Sequence, residues 1–177
     1  MNTNDTPYTY GTVSKALHWT VAALVLTNLI MGLLFDEMPK DLRFTMIMWH
    51  KSFGALVLVL MLMRLGWRAG QGFPKLPPGI VVWQRWAAHL NYLMLYPLLI
   101  AMPVTGWLLS SASGYPVYVF GLFALPNIWE KDKIWAKTFD LTHETLGYVV
   151  LALVVAHILA ALYHHFIQGD KLIRRML

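Results

Sequence analysis

The chain has no cysteine among its 177 residues. That excludes disulfides, thiolate-held metals, iron–sulfur clusters and haem attached covalently through a Cys-x-x-Cys-His motif. Charge is also scarce. Only 13% of residues are Asp, Glu, Lys or Arg, and nine are acidic. With 58% apolar residues, eight tryptophans and a mean hydropathy of +0.53, this is a membrane composition. The net charge of +5 does not point to nucleic acid, because the basic residues flank apolar runs, as topology signals do. Met1 to Gly11 is polar and lacks the basic n-region of a cleaved signal peptide, so it reads as a short retained tail.

What is present is apolar length. Four runs are long enough to cross a bilayer, at approximately residues 16–35, 45–67, 86–110 and 141–167. The first carries no charge, while the second has Lys51 near its start and Arg64 near its end. The third lies in a 44-residue uncharged stretch, Trp86 to Trp129, too long for one helix and broken after residue 110 by Ser111-Ala112-Ser113-Gly114. Pro97 and Pro103 suggest a bend in it. These features predict an all-α integral membrane protein, one domain over residues 1–177, built as a four-helix up-down bundle.

With the N-terminus inside, the inner side holds Lys15, Arg64, Arg68, Lys75, Arg85, Lys171, Arg174 and Arg175. The outer side holds Lys40, Arg43, Lys51, Lys131, Lys133 and Lys137. Eight against six, with the tight Arg64/Arg68 and Arg174/Arg175 clusters, favours both termini inside. The inner connector from Phe73 to Gly79 is proline-rich and reads as extended.

The histidines carry the chemistry. His143 and His157 lie fourteen residues apart on the fourth run, which is about four helical turns. Both therefore project from one face, about 21 Å apart along the axis, at two depths of a hydrocarbon core about 30 Å thick. His50 matches the depth of His143 near the outer side, and His18 matches His157 near the inner side. A single membrane histidine is ordinarily a helix-packing residue, but four at matching depths point to metal. Each pair can clamp one haem iron between imidazole nitrogens about 4 Å apart. Such ligation closes both axial positions and favours electron transfer over oxygen binding. Zinc fits less well, since each pair lacks the four ligands of a structural site, and Gly147 stands where the second histidine of a zinc-protease motif would be.

Other polar residues take subsidiary places. Arg64, fourteen after His50, can meet a haem propionate or snorkel to lipid headgroups. His164, seven after His157, shares its stripe about 10 Å nearer the inner surface, beside a quinone or propionate. His165 falls off the stripe at the interface, and His89 suits helix packing. Gly54 and Gly147, each four after a histidine, leave room for a flat ring or for close helix packing.

The His18-Trp19 start, the His50-Lys51-Ser52-Phe53-Gly54 stretch, Arg64, and His143-Glu144-Thr145-Leu146-Gly147-Tyr148 with His157 resemble the bacterial cytochrome b561 family. So does Gly114-Tyr115-Pro116 followed by Phe120-Gly121-Leu122, and the similarity runs from about Tyr10 to Arg175. The closest likeness is to short di-haem members of the superoxide:ubiquinone oxidoreductase type, found in the bacterial inner membrane. Longer relatives serve as cytochrome subunits of hydrogenases and formate dehydrogenases. The resemblance implies two non-covalent b haems with axial ligands His18, His50, His143 and His157. Many members place an arginine beside a tyrosine just before the first histidine. Here that stretch reads Tyr10-Gly11-Thr12-Val13.

The expected activity is transmembrane electron transfer from superoxide, through the outer and then the inner haem, to ubiquinone or another membrane quinone. No side chain need act as a nucleophile. The segment Tyr115–Trp129 would cap the outer haem. Lys51 and Lys137, with Lys131 and Lys133, are candidates to steer the superoxide anion, although six basic against seven acidic residues leave that side at −1. Two further expectations stand beside this one: an electron-transfer subunit docked to a dehydrogenase or hydrogenase, and a non-haem metal carrier.

Overall fold

The computed structural model describes residues 3–72, 74, 79–170 and 172–177. Four long helices dominate: α1 Thr12–Leu34, α2 Lys40–Gln71, α3 Val82–Ser113 and α4 Lys133–Tyr163. A π-helical turn, His164–Gln168, continues α4. All four are long and apolar enough to cross a membrane. Each runs past its apolar stretch at one or both ends. α2, for instance, starts at Lys40 and ends at Gln71, so its polar ends reach beyond a hydrocarbon core about 30 Å thick. The proline-rich connector falls largely on Phe73 and residues 75–78, outside the described residues, as does Lys171.

Local chemistry explains where the helices begin and end. α2 starts directly after Pro39, whose missing N–H costs nothing at a helix start. At the start of α4 the Asp132 carboxylate accepts from the N–H groups of Ile134 and Trp135 at 2.7 and 3.0 Å. α3 continues through Pro97 and Pro103 and ends at Gly114, which adopts φ +80°. There the Gly114 N–H donates to Ser111 O and the Tyr115 N–H to Ser110 O, the paired bonds of a left-handed cap.

α2 packs on α1 and α3, and α3 packs on α4. Side-chain contacts between residues at known places along the helices give an up-down-up-down arrangement. Both chain termini lie at one end, called the terminal end below, and the opposite end is the hairpin end. At the hairpin end a short antiparallel pair, β1 Tyr118–Val119 and β2 Phe123–Ala124, lies against α2. Ser52 Oγ holds it, accepting from Phe120 N at 2.9 Å and sharing its one hydrogen between Met48 O at 2.9 Å and Tyr118 O at 3.1 Å.

The core is small and sits at mid-depth. Val21, Val25, Val57, Met61, Leu99 and Val150 form one buried cluster drawn from all four helices. Many large apolar side chains stay exposed, among them Leu93, Leu122 and Phe166, as a lipid-facing surface requires.

The tail before α1 folds onto the terminal end. Asp5 accepts from Gly11 N, Ser14 Oγ and Arg68 Nη1 at 2.7, 2.9 and 2.6 Å. The Asp5 and Arg68 side chains are 2% and 5% exposed. A Cβ at Gly11 would collide with the Thr3 and Asn4 backbone, so the fold-back needs glycine there. The C-terminal residues join the same end: Trp19 Nε1 donates to Met176 O and Arg175 Nε to Tyr8 O, both at 2.7 Å.

Candidate functional site

Four imidazoles meet in two pairs. At the terminal end the ring centres of His18 (α1) and His157 (α4) are 6.3 Å apart, at an interplanar angle of 69°. At the hairpin end those of His50 (α2) and His143 (α4) are 6.2 Å apart, at 80°. All four rings are half-buried. The mid-depth apolar cluster separates the pairs. Val150 lies halfway between His143 and His157, and Val57 halfway between His50 and Arg64.

Neighbouring side chains hold several of these rings. Thr105 Oγ1 lies 3.1 Å from His143 Nδ1, and Asn91 Oδ1 lies 3.2 Å from His157 Nδ1. Arg64 Nη2 is 3.2 Å from His18 Nδ1, and its guanidinium lies over the Tyr96 ring at 5.4 Å. Arg64 thus turns into the bundle rather than out to headgroups. No side chain among the described residues bonds His50 Nδ1, the Asn28 backbone lies beside that ring, and the Phe35 ring packs edge-on against His50 at 5.2 Å.

The glycines differ from expectation in one respect. A Cβ at Gly54 or Gly147 would make ordinary contacts, with Asn28 and Met102. The glycine pressed against a ligand candidate is Gly106 of α3, where a Cβ would come within 3.0 Å of His143 Cε1. Thr105, Asn91 and Gly106 carry no motif. The one signal was spacing: Asn91 and Thr105 are fourteen apart, the interval of His143 and His157.

The remaining predicted residues scatter. His164 faces Asp170, its Nδ1 in contact with the carboxylate at the terminal end. His165 packs edge-on against Phe166, and His89 is exposed. Lys51 is half-buried, its Nζ donating to Ser110 Oγ at 2.7 Å, whereas Lys137 is exposed. Clefts of about 460 and 450 Å³ beside Trp129 and Lys131 touch neither histidine pair.

Residues 9–177 match the family described as prokaryotic cytochrome b561. The chain belongs to that family. It is 33% identical to cytochrome b561 homolog 2 of Escherichia coli (strain K12), over 100% of this chain and 95% of the relative. Identity to cytochrome b561 homolog 1 of the same organism is 32%, over 91% and 92% of the two chains. A protein of Yersinia pestis named probable superoxide oxidase CybB is 30% identical over 95% of each. The chain is therefore a multi-pass membrane protein of a redox family that works in electron transfer and binds b-type haem.

The residues present fit that group. Two metal–nitrogen bonds of about 2 Å, plus about 1.2 Å from each nitrogen to its ring centre, put bis-imidazole ring centres about 6.4 Å apart. Both observed separations agree. The donor set is four imidazoles in two pairs, and Gly106 leaves the His143 ring the space a side chain would take. His18 adds one requirement. A guanidinium only donates, so in its contact with Arg64 the Nδ1 of His18 accepts. Ligation through Nε2 puts the proton on Nδ1, so Arg64 must then turn to another acceptor.

Proposed function

We propose that this chain holds two b haems, one between His50 and His143 and one between His18 and His157, and passes electrons from superoxide to a membrane quinone. The observation that carries the reading is the pair of ring separations, 6.3 and 6.2 Å, at the two ends of one bundle. When bound between two such imidazoles, haem would supply reversible one-electron chemistry. The Yersinia pestis relative's name supports superoxide as donor.

The protein's residues do the rest. Lys137 and, from its tether on Ser110, Lys51 attract the anion at the hairpin end. The Val21–Met61–Val150 layer excludes water between the two sites. Arg64 offers its guanidinium to a propionate at the terminal end. Two superoxide anions leave as two molecules of dioxygen, and the quinone takes two electrons and two protons. His164, held by Asp170, stands where one of those protons can be passed on. The basic residues Lys15, Arg64, Arg68, Arg85, Arg174 and Arg175 support a cytoplasmic terminal end, with the chain in the bacterial inner membrane.

Stopped-flow mixing of the purified protein with superoxide and a short-chain ubiquinone tests this. We expect haem reduction followed by one quinol per two superoxide consumed. Lys51→Gln with Lys137→Gln should slow the reaction and flatten its salt dependence. Haem that dithionite reduces and superoxide does not would discard superoxide as donor and leave a relay subunit fed by a dehydrogenase or hydrogenase.

A further inference from the structure

α3 contributes no histidine to either pair, yet it touches both rings that α4 contributes. The direction of each bond follows from its surroundings. Thr105 Oγ1 donates its single hydrogen to Met102 O at 2.8 Å, so toward His143 it can only accept. Asn91 Nδ2 donates to Leu153 O at 3.5 Å, which turns Oδ1 toward His157 as an acceptor. Both α4 rings therefore carry hydrogen on Nδ1 and keep the Nε2 lone pair free. Among the described residues the opposite rings show no such side-chain acceptor: His50 meets the Asn28 backbone, and His18 Nδ1 faces a donor.

We propose that Thr105 and Asn91 are positioning residues, one for each haem. Each fixes the tautomer and ring orientation of its α4 ligand and strengthens that ligand's electron donation to iron. This rests on the di-haem reading above. A ring that donates from Nδ1 is a more basic ligand at Nε2, and such a ligand favours ferric iron. Each haem thus has one imidazole anchored by an α3 side chain, from α4, and one without such a side-chain acceptor among the described residues. The fourteen-residue interval on α3 repeats that on α4, so antiparallel helices bring each acceptor level with its ring.

The test is a redox titration with low-temperature electron paramagnetic resonance on the haem-loaded full chain. Wild type is compared with Thr105→Val, Thr105→Ser and Asn91→Leu, after haem content is measured for each. Thr105→Val should raise the midpoint potential of one haem, shift that haem's low-spin g-values and weaken its retention about tenfold or more. Thr105→Ser should restore all three. Asn91→Leu should act on the other haem alone. Two haems whose potentials and g-values stay unmoved in both variants would overturn the inference and leave the di-haem reading standing. Both haems moving together in Thr105→Val would overturn it too, as general loosening. A wild-type protein without haem would overturn both readings.

Discussion

At the residue scale the terminal end depends on one carboxylate. Asp5 pairs with Arg68 out of contact with solvent and also accepts from Gly11 and Ser14. Removing one partner of a buried ion pair is strongly destabilising, by about 3–5 kcal/mol. Asp5→Ala should therefore lower the thermal midpoint in detergent by several degrees, while the neighbouring Asn4→Ala should not. Tyr10 is the second test. Burial and the nearby Tyr92 push its phenol up to about 12, against the pull of Arg68 and Arg175. An unfolded tyrosine ionises near 10 and the folded one near 12. The stability Tyr10 adds is thus complete below pH 10 and is lost as pH rises toward 12. Thermal midpoints of wild type and Tyr10→Phe should run parallel from pH 6 to 9, with wild type falling relative to the variant above pH 10.

At the element scale, α3 is the helix the sequence undersold. Its histidine lies outside both pairs, and its Thr, Asn and Gly residues are ordinary in any membrane helix. Their roles appear only when α3 is set against α4 at the right depth. Gly106 gives the sharpest expectation here. With a Cβ only 3.0 Å from the His143 ring, Gly106→Val should displace that ring and cost the hairpin-end haem, leaving the other in place. Haem content and the reduced α-band of the variant check this. The four apolar runs, in contrast, were readable directly, because lipid demands unbroken apolar length. The histidine pairing was readable too, since fourteen residues return a helix to the same face. What spacing alone hid were contacts between residues far apart in the chain. Lys51 reads as an exposed charge beside His50 but is tethered to Ser110, fifty-nine residues on. The polar tail has no periodicity, so nothing before the fold showed Asp5 reaching Arg68.

At the scale of the molecule, two imidazole pairs stand at opposite ends of one bundle with an apolar core between them. A cytochrome b561 protein of this form conducts electrons along its own axis, provided each pair holds a haem. The most direct measurement is a pyridine haemochrome assay on purified wild type, His143→Ala and His157→Ala, expressed with ample haem. Wild type should carry two b haems per chain and each variant about one, with the two variants losing different haems by spectrum. A wild-type chain with no haem, or a single haem that survives both substitutions, would contradict the di-haem reading.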